Sequence, residues 1–347
     1  MIVPTGIGAS IGGFAGDALP SARLLASAVD NLVTHPNVMN GAMVYWPIPN
    51  ALYVEGFALD RFAAGEWALR PSRPTRSNRI GLVLDRAIKE DMRIRHLQVA
   101  DAMRASLGID VSGYAVTDKP LEVELSMTAD GTSWGTLGNP DSLIACARSL
   151  VEKGCTAIAV VAVFPEEDED HLQAYREGSA VDAIAGAEAI ISHLVTRELE
   201  VPCAHAPCLQ PLDASEDVSP KAAAEELGYT FLPCVLAGLS NAPQIQICST
   251  LSSKTPSVLT AGGVNAVIVP KTACGGSGVL SLVASGAKLI TVGNNTTSID
   301  VTPESLGLPA IEVSNYLEAA GVLLADRNGI LGAALDPKIR RIPNIGQ

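Results

Sequence analysis

The sequence is poor in aromatic residues and in charge. Phe, Trp and Tyr make up 4% of its 347 residues, and Asp, Glu, Lys and Arg make up 18%. So few charged side chains would cover the surface of a monomer only thinly, which predicts a large core or the buried contacts of a homo-oligomer. The 48% of hydrophobic residues and the abundance of Ala and Gly are typical of a tightly packed α/β protein and exclude a disordered or coiled-coil chain.

Positive charge and membrane signals are also scarce. The net charge of −13 argues against nucleic acid as a partner, because neutralising phosphates requires a basic face. Residues 1–20 lack the basic region of a signal peptide, and prolines interrupt the long uncharged stretch at 31–54. Seven cysteines without a C-x-x-C pair fit a reducing compartment. The sequence therefore predicts a cytoplasmic protein with no membrane partner.

Short aliphatic runs alternate with helical patterns along the chain. This alternation predicts an α/β fold of mostly parallel sheets with crossover helices, arranged in two α/β lobes. A turn-rich passage at 128–140 suggests a boundary that divides the chain into lobes 1–135 and 136–347. The predicted strands include 42–46, 79–85, 111–116, 157–164, 201–206, 230–235, 266–269 and 289–292, and the predicted helices include 86–107, 141–153 and 186–199.

Glycine is concentrated in two loops, each between a short apolar run and a helical pattern. Glycine lets the backbone adopt unusual φ values and lets a ligand approach main-chain N–H groups closely. We therefore expect both loops to face one site for a small-molecule ligand. The predicted ligand-binding residues are Thr5, Gly6, Gly8, Gly12 and Gly13 in the first loop and Gly275, Gly276 and Ser277 in the second.

The first loop matches no nucleotide-binding motif. It lacks the spacing G-x-G-x-x-G with a later acidic residue, and no Gly-Lys-Ser/Thr follows. The acidic run at 165–170 lacks the pattern of a calcium loop, and the sequence Cys203-x-His205-x-x-Cys208 lacks the second spaced pair of a structural zinc site. We therefore expect no cofactor and no metal.

Several polar side chains follow predicted strands, where ligands of parallel sheets bind. Cys203 and His205 are two apart on one strand, so they share a face and suit proton transfer or nucleophilic chemistry. Cys274 precedes a helix, where a thiolate would be stabilised, although a buried small residue in a turn explains it equally well. Asp17, Glu188 and Lys271 complete the predicted catalytic set, and Asn294 and Asn295 are expected to orient the ligand. His193 does not share a helix face with Glu188 and is interpreted as structural.

The sequence also resembles two known protein families. Residues 3–17, with the segments 186–193, 202–207 and 274–278, resemble an uncharacterised family of cyanobacteria and plastids that is known as a domain of unknown function. That resemblance covers most of the chain and supplies no reaction. The layout of two cysteines across two α/β lobes is similar to that of aspartate/glutamate racemase-type enzymes, with Cys203 and Cys274 as the candidates, but the Asn-Thr and Gly-Cys-Thr-Glu contexts of that family are missing.

Three functions remain open at this point. The first is an enzyme that acts on a small anionic metabolite by Cys/His proton transfer or covalent catalysis, as an isomerase, racemase or lyase would. The second is an amide hydrolase in which Lys254 or Lys271 activates Ser252, Ser253 or Ser277. The third is a non-catalytic protein that binds a metabolite or assembles with copies of itself.

Overall fold

The structure is a computed structural model that describes most of the chain. The described residues are 2–3, 18–39, 44, 46–72, 77–127, 133–165, 169–178, 184–209, 214–226, 231–251, 257–297 and 299–344. The first glycine loop and Asp17 therefore lie outside the described residues, as do Ser252, Ser253 and Lys254 and most of the predicted strand at 42–46.

The strands of the described chain are short and mostly aliphatic. They are β1 (Ile2–Val3), β2 (Leu32–Thr34), β3 (Ala51–Tyr53), β4 (Trp67–Arg70), β5 (Ile80–Leu84), β6 (Val111–Val116), β7 (Val123–Met127), β8 (Ser133–Leu137), β9 (Ala157–Ala162), β10 (Cys203–Pro207), β11 (Gln244–Ile247), β12 (Ala266–Pro270), β13 (Lys288–Val292) and β14 (Ile311–Val313).

Helices connect most of these strands. They are α1 (Leu19–Ser27), α2 (Pro36–Met39), α3 (Gly56–Ala63), α4 (Glu90–Leu107), α5 (Pro140–Glu152), α6 (Glu169–Arg176), α7 (Ala185–Leu199), α8 (Pro220–Glu226), α9 (Phe231–Asn241), α10 (Ser277–Ala284) and α11 (Tyr316–Arg327). No helix within the described ranges is both long and apolar enough to span a membrane.

Two parallel sheets organise the molecule. The larger has six strands in the order β14-β13-β12-β1-β2-β3, and the smaller has four in the order β10-β9-β5-β6. Antiparallel pairs β4–β11 and β7–β8 accompany them. This arrangement confirms the α/β fold with mostly parallel sheets that the alternating pattern predicts.

Both faces of each sheet are covered, which is why the strands read as continuous apolar runs. One core is shared by the two sheets and contains the apolar helix α9, with Val235, Leu236 and Leu239 fully buried. A second core lies between the four-stranded sheet and helices α5 and α7, and a third lies between the six-stranded sheet and helices α3 and α10. The two sheets are thus joined by packing as well as by the chain.

The structure differs from the sequence prediction in two strand assignments and in the position of the lobe boundary. Residues 230–235 were predicted as a strand, but from Phe231 onward they belong to helix α9, whose apolar residues surround it because it is buried on all sides. Residues 133–137, within the turn-rich passage at 128–140, form strand β8, which pairs antiparallel with β7. Each parallel sheet takes strands from both sides of residue 135, so the predicted boundary does not separate the sheets.

Candidate active site

A buried carboxylate marks the carboxyl end of strand β3. Glu55 follows this strand by two residues and is the N-cap of helix α3. Its Oε2 accepts hydrogen bonds from the backbone N–H groups of Phe57, at 2.9 Å, and Ala58, at 3.3 Å. These bonds satisfy two N–H groups that a helix start leaves without partners, and they fix the carboxylate in place. Glu55 is only 3% exposed, so its second oxygen, Oε1, is held inside the protein.

His193 faces that second oxygen. Its Nε2 lies 2.8 Å from Glu55 Oε1, and its side chain is 42% exposed whereas that of Glu55 is 2% exposed. Oε1 is buried, and among the described residues this imidazole is its only close charged neighbour. Burial lowers the pKa of His193, but the contact with Glu55 and the charges of Glu55 and Asp60 outweigh it, so the pKa is raised above its ordinary value. The buried carboxylate of Glu55 therefore stabilises the protonated form of an imidazole that solvent can reach.

A second imidazole approaches the same place from strand β2. His35 directly follows that strand, and its Nδ1 accepts a hydrogen bond from the backbone N–H of Asn37 at 3.2 Å. Burial lowers the pKa of His35 to about 4; Glu55 opposes this shift, and His205 and His193 add to it. His35 is therefore a neutral imidazole at physiological pH.

Gly56 is the point at which the two rings meet. A β-carbon on this residue would lie 2.8 Å from His193 Nε2 and 3.5 Å from His35 Nε2. The first distance is too short for a real β-carbon, so only glycine lets the two imidazoles come this close to the start of helix α3.

His205 and Glu188 form a second carboxylate–imidazole pair nearby. His205 lies on strand β10 and Glu188 on helix α7, with His205 Nε2 3.6 Å from Glu188 Oε2. The Oγ of Ser192 lies 3.0 Å from His205 Nδ1. All three residues are less than one-tenth exposed. Cys203 and His205 share the face of β10 that packs against α7, as the alternation along a strand predicts.

The strand order fixes the sheet edge at which strand β1 ends. Strand β1 lies between β12 and β2, with Ile2 paired to Val267 and to Val33. The chain leaves β1 at the same sheet edge at which His35 follows β2 and Glu55 follows β3. The predicted ligand residues Thr5, Gly6, Gly8, Gly12 and Gly13 lie outside the described residues, so their contacts stay predictions, but the sheet fixes where their loop starts.

The second glycine loop also leaves this edge, after β12. Ser277 Oγ donates a hydrogen bond to Asp60 Oδ1 on helix α3 at 3.0 Å, which ties helix α10 to the helix that Glu55 caps. Gly275 is packed against Val301, whereas a β-carbon on Gly276 would have its nearest neighbour at 3.9 Å. The second glycine loop is thus linked through helix α3 to Glu55. Its role in ligand binding stays a prediction.

The other residues predicted around this loop have structural partners. Lys271 Nζ lies 2.7 Å from Glu312 Oε2, and this contact raises the pKa of Lys271. Asn295 is buried, and its Oδ1 accepts a hydrogen bond from Tyr316 at 2.7 Å, while Asn294 is exposed and its backbone N–H bonds to Ser314. Lys271 is thus held on the surface by Glu312, and Asn295 is held by Tyr316 of helix α11.

The two candidate cysteines are shielded from solvent. Cys274 is fully buried in the core beneath α3 and α10, and burial raises its pKa to about 11. Cys203 is 1% exposed, and burial and the charge of Glu55 raise its pKa well above the ordinary value. A stabilised thiolate at Cys274 would have a lowered pKa, whereas the pKa is raised. The reason is that the residue lies under the helix start and not at it.

Three residues of this cluster were not predicted as functional. His35 and Glu55 follow β2 and β3, which have three residues each and give little periodic signal. The rule that ligands bind beyond the carboxyl ends of parallel strands would have selected both, had these strands been recognised. The pattern of helix α7 alone predicts a structural role for His193, whereas its partner Glu55 follows a strand of the other sheet. Within the described part of the chain, no group of three or more acidic, His or Cys side chains is arranged to hold a metal ion.

The chain is similar to a curated protein and, more distantly, to a solved structure. A curated relative, an uncharacterised lipoprotein of Synechococcus sp., is 53% identical over 343 residues, which is 99% of this chain and 94% of that protein. Its name overturns the predicted cytoplasmic location, which rested on the lack of a signal-peptide pattern. A solved structure of acetone carboxylase is 15% identical, with a TM-score of 0.19 over 54% of this chain and 26% of that one, and this likeness carries no argument.

The family of the chain follows from a match over nearly its whole length. The model of the family described as "Protein of unknown function (DUF3326)" matches residues 1–336. This agrees with the sequence resemblance to an uncharacterised cyanobacterial family, and the chain belongs to this family.

Proposed function

We propose that the protein is an enzyme that moves a proton on a small anionic metabolite, with Glu55 and His193 as its acid–base pair. One observation carries this proposal: a carboxylate that is almost fully buried lies 2.8 Å from an imidazole that is partly open to solvent. An imidazole oriented and stabilised by a buried carboxylate is a common general base, because the carboxylate favours its protonated form.

The surroundings of the pair support the same chemistry. The raised pKa of His193 makes its neutral imidazole a stronger base than that of an ordinary histidine. His205 and Glu188 lie in the same region and would orient a bound substrate. Cys203 and Cys274, the groups first predicted for this role, are less suited to it because their thiols are buried and their pKa values are raised.

The anionic character of the substrate rests on the glycine loops. Both start at the sheet edge where His35 and Glu55 lie, and backbone N–H groups of such loops bind carboxylates and phosphates. The net charge of −13 does not attract an anion over long distances. Recognition would therefore depend on local N–H donors and on protonated His193.

The alternatives have weaker support. A Ser/Lys amide hydrolase using Lys271 and Ser277 would need both groups available, but Lys271 pairs with Glu312 and Ser277 bonds to Asp60. A homo-oligomer stays a prediction, with the exposed apolar side chains of Leu317, Leu331 and Ile342 as places for contact.

Proton transfer by His193 can be tested by proton NMR in D2O, which detects the exchange of carbon-bound hydrogens of a substrate. The full chain is incubated with each member of a panel of small carboxylates and phosphate esters, and loss or migration of C–H signals is measured. We expect at least one compound to react with the wild type and with His96→Gln, and not with His193→Gln. His96 is the matched control because it lies on helix α4, where its Nδ1 contacts Met92 O at 2.8 Å.

Two outcomes would contradict the proposal. Equal reaction with wild type and His193→Gln would remove the acid–base pair from the mechanism. Binding of a panel compound, seen as saturation transfer from protein to ligand, without any reaction of any compound would indicate a binding protein instead of an enzyme.

A further inference from the structure

The ring of His35 is fixed in one tautomer. The backbone N–H of Asn37 donates to its Nδ1, so this nitrogen carries a lone pair. A neutral imidazole has one protonated nitrogen, and in His35 that nitrogen is therefore Nε2. This Nε2 lies 3.5 Å from the position that a β-carbon on Gly56, the residue next to Glu55, would take. The protein thus holds a neutral N–H donor beside its candidate base.

The charges around His35 keep this donor neutral. The groups that act on it are Glu55 from the start of α3, His193 from α7 and His205 from β10. Glu55 favours protonation of His35, but burial and the two other imidazoles oppose it more strongly. A neutral imidazole keeps its Nε2 proton firmly and is suited to donating a hydrogen bond to a developing oxyanion.

The Nδ1 of His193 is the candidate acceptor of a proton. The Nε2 of the same ring faces Glu55, and among the described residues no hydrogen bond occupies Nδ1. The structure therefore places a neutral N–H donor, His35 Nε2, and the imidazole of His193, whose Nε2 faces Glu55, beside the same residue, Gly56.

We propose that His35 is a catalytic residue whose Nε2–H binds the carbonyl oxygen of the substrate while His193 removes a proton from the adjacent carbon. This inference rests on the proposed acid–base function and narrows its substrate to small carbonyl compounds, such as 2-oxo acids, with hydrogen on the carbon next to the carbonyl group.

The step is redox-neutral. The Cα–H bond breaks and its proton passes to His193 Nδ1, giving an imidazolium that faces Glu55. The electron pair of that bond forms a C=C bond, and the π electrons of the C=O bond move onto oxygen. The resulting enolate oxygen accepts the hydrogen bond from His35 Nε2, which keeps its proton. Return of the proton from His193 to carbon completes an isomerisation or an exchange with solvent.

The first test measures the two rings directly. The full chain is labelled with ¹⁵N at its five histidines, and the ring nitrogens are followed by NMR between about pH 5 and pH 8. We expect His35 to remain neutral with hydrogen on Nε2 throughout, while His193 titrates at a raised pKa. Hydrogen on Nδ1 of His35, or an imidazolium at neutral pH, would overturn the inference and leave the Glu55–His193 pair intact.

The second test uses oxalate, a planar dianion that resembles the enolate of a 2-oxo acid. We expect oxalate to bind the wild type and to shift the His35 Nε2 signal. In His35→Leu the affinity should fall at least about tenfold, since a hydrogen bond to a charged group is lost. In His35→Gln, whose amide N–H can replace Nε2–H, most of it should remain, and His96→Gln should bind as the wild type does.

The outcomes separate this inference from the function on which it rests. Equal oxalate binding by wild type and His35→Leu, or no binding by the wild type, would overturn the role of His35 and the carbonyl class. A bound metal that is lost in His35→Gln would overturn it as well, because His35 would then be a ligand. Loss of solvent exchange in His193→Gln tests the acid–base pair separately.

Discussion

Replacing Glu55 with Gln tests the ion pair at the centre of the site. The variant keeps an oxygen that can accept from Phe57 and Ala58, so the helix cap is preserved, while the charge facing His193 is removed. In the wild type the pKa of His193 is raised above the unfolded value of about 6.5. Its contribution to stability is therefore fully present below about pH 6.5 and is lost as the pH rises through the folded pKa.

The size of this contribution is limited by solvent. Because the His193 side chain is 42% exposed, screening reduces the pair to about 1 kcal/mol, near the upper limit for exposed ion pairs. We therefore expect Glu55→Gln to lower the free energy of unfolding by about 1 kcal/mol more at about pH 5.5 than at about pH 8.5. His35, with a pKa of about 4, stays neutral at both values and does not contribute.

Urea unfolding of the wild type and the variant at both pH values measures this difference. Asn315→Ala is the control, because Asn315 caps helix α11 through the N–H of Glu318 without a titratable group of its own. Its cost of about 1 kcal/mol should be the same at both pH values. A cost of Glu55→Gln that is independent of pH, or that grows as the pH rises, would refute the reasoning.

Three further predictions address single features of the site. Gly56→Ala should move the end of the His193 side chain and bring its NMR-measured pKa back towards about 6.5, while Gly262→Ala, with open space at its β-carbon, should leave it unchanged. Cys203 and Cys274 should react with iodoacetamide at neutral pH only after denaturation, as mass spectrometry of the labelled peptides would show; rapid labelling of native Cys274 would contradict its buried position and its pKa of about 11. The folded pKa of His35 is lowered to about 4, so the wild type should lose up to about 3 kcal/mol more stability than His35→Gln as the pH falls from about 6.5 to about 4. Equal loss of stability in the two proteins, measured by urea unfolding, would argue against a neutral His35 ring.

The regular part of the fold could be predicted because its signal is local. Strands β5, β6 and β9 are continuous apolar runs, and helices α4, α5 and α7 end within a few residues of their predicted bounds. Helix α9 was missed for the same reason that the strands were found: a helix buried on all sides is also a continuous apolar run.

The candidate site could be predicted only in part because its groups come from separate elements. His205 and Glu188 follow from the rule for strand ends and helix starts in the smaller sheet. The pairing of Glu55 with His193 depends on how α3 and α7 pack, which no pattern in either helix encodes. The sequence context of Cys274 resembles a helix start, but its side chain lies in the core, which no local pattern reveals.

The position of β1 in the middle of the larger sheet has a consequence for synthesis. This strand pairs with β2 on one side and with β12 on the other, and β12 leaves the ribosome long after β1. Until then one edge of β1 has no neighbour, and non-local pairing of this kind is slow and exposed to aggregation. A nascent chain of this protein therefore needs its first strands kept apart from other chains until strand β12 has been translated.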